Sequence, residues 1–155
     1  MFVRILGVIV LILVAASFIL AMFSFRAKKP DNLGVVDGKL LPCPEASNCV
    51  CSTDQDERHH IEPLTFSGNP KDAMARLKAV LADQPRTRIV IEEPDYLQAE
   101  CSSLIFRFVD DVEFYLDRKE KKIHVRSGSR AGKLDFGVNR RRVEAIRKAF
   151  NAQGS

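Results

Sequence analysis

Apolar residues fall along this chain in three regimes. Between Ile5 and Phe25 there are 21 consecutive residues without a charge, flanked by Arg4 on one side and by Arg26, Lys28 and Lys29 on the other. At 1.5 Å per residue they make about 30 Å of apolar helix, the thickness of a bilayer's hydrocarbon core. The second regime has a helical period. Ala73, Met74, Leu77, Val80 and Leu81 share one stripe, Asn69 is a good N-cap with Pro70 behind it and Asp72 in the first turn, and Asp83, Gln84 and Pro85 supply the stop. From Arg88 the period becomes two. Ile89 and Ile91 flank Val90; Leu97, Ala99 and Cys101 alternate with Gln98 and Glu100; Leu104, Phe106 and Phe108 alternate with Arg107; then come Val112, Phe114 and Leu116, and lastly Ile123 and Val125. This predicts four or five antiparallel strands. A two-residue turn at Asp110 and Asp111 would set Phe108 opposite Glu113, so a longer loop or one bent strand is expected there. Helical spacing returns with Val143, Ile146 and Phe150, with Asn139 as the expected N-cap and Val138 and Val143 placed for a hydrophobic staple.

Residues 26–58 are rich in Pro, Gly, Asp, Asn and Ser and have no sustained period, so they read as a linker and an ordered loop. The whole predicts an α+β chain. A two-layer domain with an antiparallel sheet of four or five strands and two helices over one face is preceded by an N-terminal transmembrane helix. The expected organisation is an anchor over residues 1–27, a linker over 28–40 and a globular domain over 41–150.

A cleaved signal peptide is the competing reading of the N-terminus. Its apolar core is usually shorter, and the passable cleavage site at Ala15, Ala16 and Ser17 would leave a greasy new terminus. A retained single-pass anchor is therefore expected. Orientation is contested: Arg26, Lys28, Lys29 and Lys39 against Arg4 favour a cytoplasmic head. Four cysteines, three of them within nine residues of a Pro-rich loop, favour the extracytoplasmic side, which is the expectation adopted.

The pI of about 9.0 comes from the membrane flanks, because the acidic residues and 20 of the 24 Lys and Arg beyond Lys29 cancel. Nucleic acid is not an expected partner. Charge is nonetheless polarised: residues 30–117 hold 8 basic against 17 acidic side chains, and residues 118–155 hold 12 against 3. The halves neutralise each other, or the basic end faces an anion or anionic headgroups.

Three constellations carry candidate chemistry. In the first, Arg126, Ser127, Ser129 and Arg130 lie shortly before Asn139, Arg140, Arg141 and Arg142. Three arginines in the first turn oppose the helix dipole by about 0.3–1 kcal/mol each and call for negative charge. That charge is either an anion bound at a helix N-terminus or the acids Asp110, Asp111, Glu113 and Asp135. In the second, strand parity puts Glu100, Arg107, Glu113, Tyr115, His124 and Arg126 on the polar sheet face, as a general-base site or a solvated ladder of ion pairs. The third is Cys43, Cys49 and Cys51 with His59 and His60. It allows a disulfide, most simply Cys43 with Cys49, a reactive thiol, or a metal whose usual spacing it does not match. Cys101 has the parity of a buried hydrophobe. No metal or cofactor is expected.

Three runs, LPCPEASNCVCS at 41–52, FRFVDDVEFYL at 106–116, and IHVRSGSR at 123–130 with GVNRRRV at 137–143, resemble the bacterial and plastid domain-of-unknown-function family 1499. The resemblance covers about residues 41–150. It implies a small domain, often exported or membrane-linked, with no activity to transfer. Similar sequences commonly carry serine at position 51, which points to Cys43 and Cys49 as the structural pair. The expected function is a membrane-anchored, non-catalytic binding or interaction domain. Its basic C-terminal region would meet membrane lipid, an anionic small molecule or an envelope protein. The rivals are an envelope enzyme, hydrolase-like through His124, Glu113 and Arg107 or thiol-dependent through Cys51, and an accessory subunit.

Overall fold

The period-two stretches pair into one antiparallel sheet. The computed structural model describes residues 2–26, 29–46, 48–105 and 107–154. In chain order the elements are α1 (Phe2–Arg26), β1 (Val35–Val36), β2 (Lys39–Leu40), β3 (Cys49–Cys51), β4 (Leu64–Thr65), α2 (Pro70–Asp83), β5 (Thr87–Glu93), β6 (Tyr96–Ser102), β7 (Val109–Asp117), β8 (Lys122–Ser129) and α3 (Val138–Ala152). The chain is α+β with three helices, a two-stranded hairpin and a six-stranded sheet, larger than the four or five strands expected. The sheet order is β3-β8-β7-β6-β5, with β4 pairing the start of β8 beside β3.

Helices α2 and α3 cover one face of the sheet. The α2 stripe of Ala73, Met74, Leu77, Val80 and Leu81 is buried as its spacing predicts, and Asn69 caps the helix by accepting from the Lys71 amide at 2.9 Å. With Val143, Ile146 and Phe150 of α3 and Val112, Phe114, Leu116, Ile123 and Val125 of the sheet it forms the main core.

Four expectations need correction. Of the two arrangements expected at Asp110 and Asp111, the loop is overturned: both lie inside a strand, β7, opposite Ser129 and Gly128 of β8. Leu104 and Phe108 belong instead to the loop between β6 and β7, closed by the Ser103 amide on the Phe108 carbonyl; Phe106 is outside the described residues. Asn139 is not the cap of α3. Gly137, at φ 76°, holds that position, and Val138 is exposed and makes no staple. The alternation around Val90 is broken by a bulge, which sends Ile89 to the main core and Ile91 to the opposite face.

α1 is 25 residues long. Its described side chains, 4–12 and 14–17, are exposed, and among the described residues no helix is long and apolar enough to cross a membrane. The stretch beyond it, read as a linker, is bound to the sheet. Lys29 Nζ donates to Gln98 Oε1 at 2.8 Å, the Gly34 amide donates to Glu113 Oε1 at 2.5 Å, and the hairpin β1–β2 follows.

Candidate functional site

Alternation along β6, β7 and β8 puts Tyr96, Gln98, Glu100, Asp111, Glu113, Tyr115, His124, Arg126 and Arg130 on the face away from the helices. Expected as a solvated ladder, the centre of this face is buried. Glu113 is 1 % exposed and Arg126 4 %. The Glu113 carboxylate accepts from Tyr96 Oη at 2.7 Å, from Arg126 Nη1 at 2.8 Å and from the Gly34 amide. Beside it Arg130 bridges Asp111 and Glu100, Asp111 also accepts from Gln98 Nε2, and Glu100 pairs with Arg88. The strap of residues 29–36, the hairpin and the cysteine loop take the place of a covering helix.

The titrations follow from these contacts. Burial, reinforced by the bond to Glu113, pushes the Tyr96 phenol far above its ordinary 10. Arg88 and then Arg130 hold the Glu100 carboxyl below the usual carboxylate value, and Asp111 holds the Arg130 guanidinium protonated. Burial lowers His124. The proposed trio of His124, Glu113 and Arg107 does not converge. Glu113 pairs across strands with Arg126, His124 lies opposite Tyr115, and Arg107 is in the β6–β7 loop. His124 Nδ1 instead meets Ser52 Oγ at 3.2 Å, a contact absent from the sequence reading. That hydroxyl oxygen already accepts the Val125 amide, which fixes Ser52 as a strap between β3 and β8.

The eight residues expected to bind an anion divide between the two sheet faces, because neighbours on a strand point opposite ways. Arg126 and Arg130 join the acids just described. Ser127 and Ser129 face α3, where Ser127 Oγ donates to Asn139 Oδ1 at 2.6 Å and Asn139 Nδ2 donates to Ser129 Oγ at 3.0 Å. Asn139 thus cross-links α3, β8 and the Asn48 carbonyl from a fully buried position, and Arg142 bonds Asn139, Ser127 and Asp110. The α3 N-terminus is closed by Asp135, whose carboxylate accepts the Gly137 and Asn139 amides. Arg140 and Arg141 remain outside these networks. Each donates to a backbone carbonyl, of Arg58 and Phe136 respectively, and neither has an acid partner among the described residues.

Cys43 and Cys49 are joined in a disulfide with Cα atoms 5.7 Å apart. Cys51 and Cys101 are free and buried, and burial raises both thiols, which leaves little thiolate on Cys51 at neutral pH. His59 and His60 bond the Cys49 and Asp54 carbonyls through Nδ1. Among the described residues no group of three or more His, Cys, Asp or Glu could hold a metal.

A cleft of about 800 Å3 lies between the strap and the edge of the polar face, lined among others by Lys29, Leu33, Ile91, Glu93, Tyr96 and Tyr115. That volume suits a small organic ligand. Sequence reading missed it because strap and strands are some 65 residues apart, although strand parity already put two lining residues, Gln98 and Tyr115, on this face.

Fold and site together define a small α+β domain with a buried ionic face. The chain belongs to the protein family of unknown function DUF1499, whose family model matches residues 39–150. Searches of curated proteins and of solved structures return no match.

Proposed function

We propose that this chain is a membrane-tethered, non-catalytic binding domain. The tether is read from the full sequence rather than from the described helix: the 21 uncharged residues from Ile5 to Phe25, between basic flanks, match the thickness of a bilayer core. The observation that carries the reading is the strap. Lys29, three residues beyond the end of α1 at Arg26, is already bonded to the middle of the sheet, and Gly34 is bonded to Glu113. A head joined so directly works at the bilayer surface. The disulfide supports an extracytoplasmic head, since such bridges persist in oxidising compartments.

Binding rather than catalysis is supported by the state of the candidate groups. Glu113 and Ser52 are occupied, the Cys51 thiol is buried, and the cleft beside the strap is open. Of the basic C-terminal region, Arg140 and Arg141 are the side chains left for an anionic headgroup or ligand. Alkaline carbonate extraction of the full chain tests the tether: it stays in the membrane pellet, and recovery of uncut protein in the supernatant overturns the reading. A reporter fused after Ser155 decides the side.

A further inference from the structure

We propose that the end of the sheet where β6 passes to β7 and β8 passes to α3 is a membrane-docking tip, which inserts apolar side chains among anionic lipid headgroups. The proposal rests on the tethered reading and adds a second contact with the same bilayer.

Two loops leave the sheet side by side at this end, tied by the Arg130 amide on the Val109 carbonyl. One presents Leu104 and Ile105, 72 % and 73 % exposed; the other presents Leu134, Phe136 and the first residue of α3, Val138, with Phe136 80 % exposed. Apolar side chains clustered at one end of a domain whose core is otherwise filled mark an interaction surface. Phe136 is held there. Its backbone sits at φ 52°, the following Gly137 amide is bound by Asp135, and Arg141 Nη1 donates to the Phe136 carbonyl at 2.8 Å.

Charge selects the occupant. Arg107 lies in the first loop and Arg140 and Arg141 in the first turn of α3, and none of the three has an acid partner among the described residues. Of the acids beside these loops, Asp110 is engaged by Arg142, Asp111 and Glu100 by Arg130, and Asp135 by the first amides of α3. Arg86, on the approach to β5, donates through Nε to the Ser102 carbonyl. Apolar side chains within a basic rim are the pattern of an interfacial membrane contact on anionic lipid. The tether permits it. Arg26 to Lys29 spans at most about 11 Å, the side-chain link from Lys29 to Gln98 adds up to about 13 Å, and Gln98 to Ser102 along β6 is about 13 Å, so Ser102, where the tip begins, lies within roughly 37 Å of the end of α1.

The chain contains no tryptophan, so Phe136→Trp gives a single fluorescent reporter at the tip. Lys119→Trp, in the β7–β8 turn at the far end, gives the control. Full-length protein is reconstituted in phosphatidylcholine vesicles with and without phosphatidylglycerol. With the anionic lipid, the Phe136→Trp reporter shifts to the blue and is quenched by brominated acyl chains, while the Lys119→Trp reporter does neither. Arg140→Gln and Arg141→Gln each lower the docked-to-free ratio by about 5-fold, the factor for about 1 kcal/mol per basic side chain at an anionic surface. Leu104→Trp repeats the measurement from the other loop if the first variant folds poorly.

Equal acrylamide accessibility of the tip and control reporters in anionic vesicles overturns the docking even if the chain is firmly embedded. Shielding that appears without lipid and grows with protein concentration overturns it in favour of a second copy. Quenching at the tip in a chain that carbonate then strips from the vesicles leaves docking standing and removes the anchor.

Discussion

The two faces of the sheet are buried by opposite means. On the helix side Val112, Phe114, Leu116, Ile123 and Val125 meet the apolar stripes of α2 and α3. On the other, Glu113, Arg126 and Asp111 are buried, and Arg130 half-buried, beneath a strap and a cysteine loop that bring hydrogen bonds rather than hydrocarbon. An apolar face is stabilised in proportion to the area it hides and tolerates substitutions that keep volume. A buried ionic face depends on every partner being present. Desolvation offsets much of the attraction, and removing one partner leaves a charge with nothing to answer it.

Glu113 and Phe114 are consecutive on β7 and point to opposite faces, so they break or sharpen this contrast most strongly. Phe114→Ala is expected to cost about 3–5 kcal/mol through the cavity it leaves. Glu113→Ala is expected to cost about the same, because Arg126 loses its counter-charge and two further donors lose their acceptor. Rescue separates the two. Adding Arg126→Met to Glu113→Leu recovers most of the loss, leaving about 1 kcal/mol each for Tyr96 and Gly34, whereas no second deletion around Phe114 restores stability. Urea denaturation of the single and double variants measures this; a double variant no better than Glu113→Ala would mean that the ionic pair is a net stabiliser.

The disulfide comes next in size. Cys43 and Cys49 close a loop with a sequence separation of 6, and opening it is expected to cost about 2 kcal/mol. The bridge fastens β3, which pairs with β8 through Cys49 and Gly128 and so serves both faces. Comparing the oxidised and reduced forms by thermal unfolding checks the value. A reduced form of unchanged midpoint would show that His59, His60 and Ser52 alone hold the loop.

Smaller still is the effect of Lys29→Met, about 1 kcal/mol, since solvent around the exposed lysine weakens its charged hydrogen bond to Gln98. Its location matters more than its size. Hydrogen exchange should quicken at Gly34 and along β1–β2 while α2 and α3 keep their protection, because the strap opens without the apolar face. Equal quickening in both layers would contradict the division into two independently covered faces.

The legibility of these regions in the sequence differs for the same reason. α2 was readable in full, since cap, first turn, stripe and stop all lie within Asn69 to Pro85 and each acts locally. The apolar parity of β6, β7 and β8 was equally plain and located Cys101 as well as Phe114. Asp110 and Asp111 misled because two adjacent acids imitate a turn. What keeps them in a strand is Arg142 on one face and Arg130 on the other, partners 32 and 19 residues away. β3 and β4, of three and two residues, are too short to show a period, and the strap has none. The eight candidate anion-binding residues divide by alternation itself: Arg126 and Arg130 do not share a face with Ser127 and Ser129.

The smallest effect tests how dry the polar face is at its rim. His124 is partly buried with Ser52 on its Nδ1, and burial lowers its pKa from 6.5, more than the nearby carboxylates of Asp117 and Glu120 raise it. Between the lowered folded value and 6.5 the unfolded chain binds more protons than the folded one. Stability therefore rises with pH across that interval, falls as the solution is acidified through it, and is flat in this contribution on either side. His124→Gln removes the dependence. The difference between parent and variant, from urea midpoints at pH 8 and pH 5, cancels the carboxylates common to both, and the parent should lose more on acidification. If it gains instead, Asp117 and Glu120 outweigh burial at this position, water reaches the rim, and the dry part of the ionic face ends at the pair of Glu113 and Arg126.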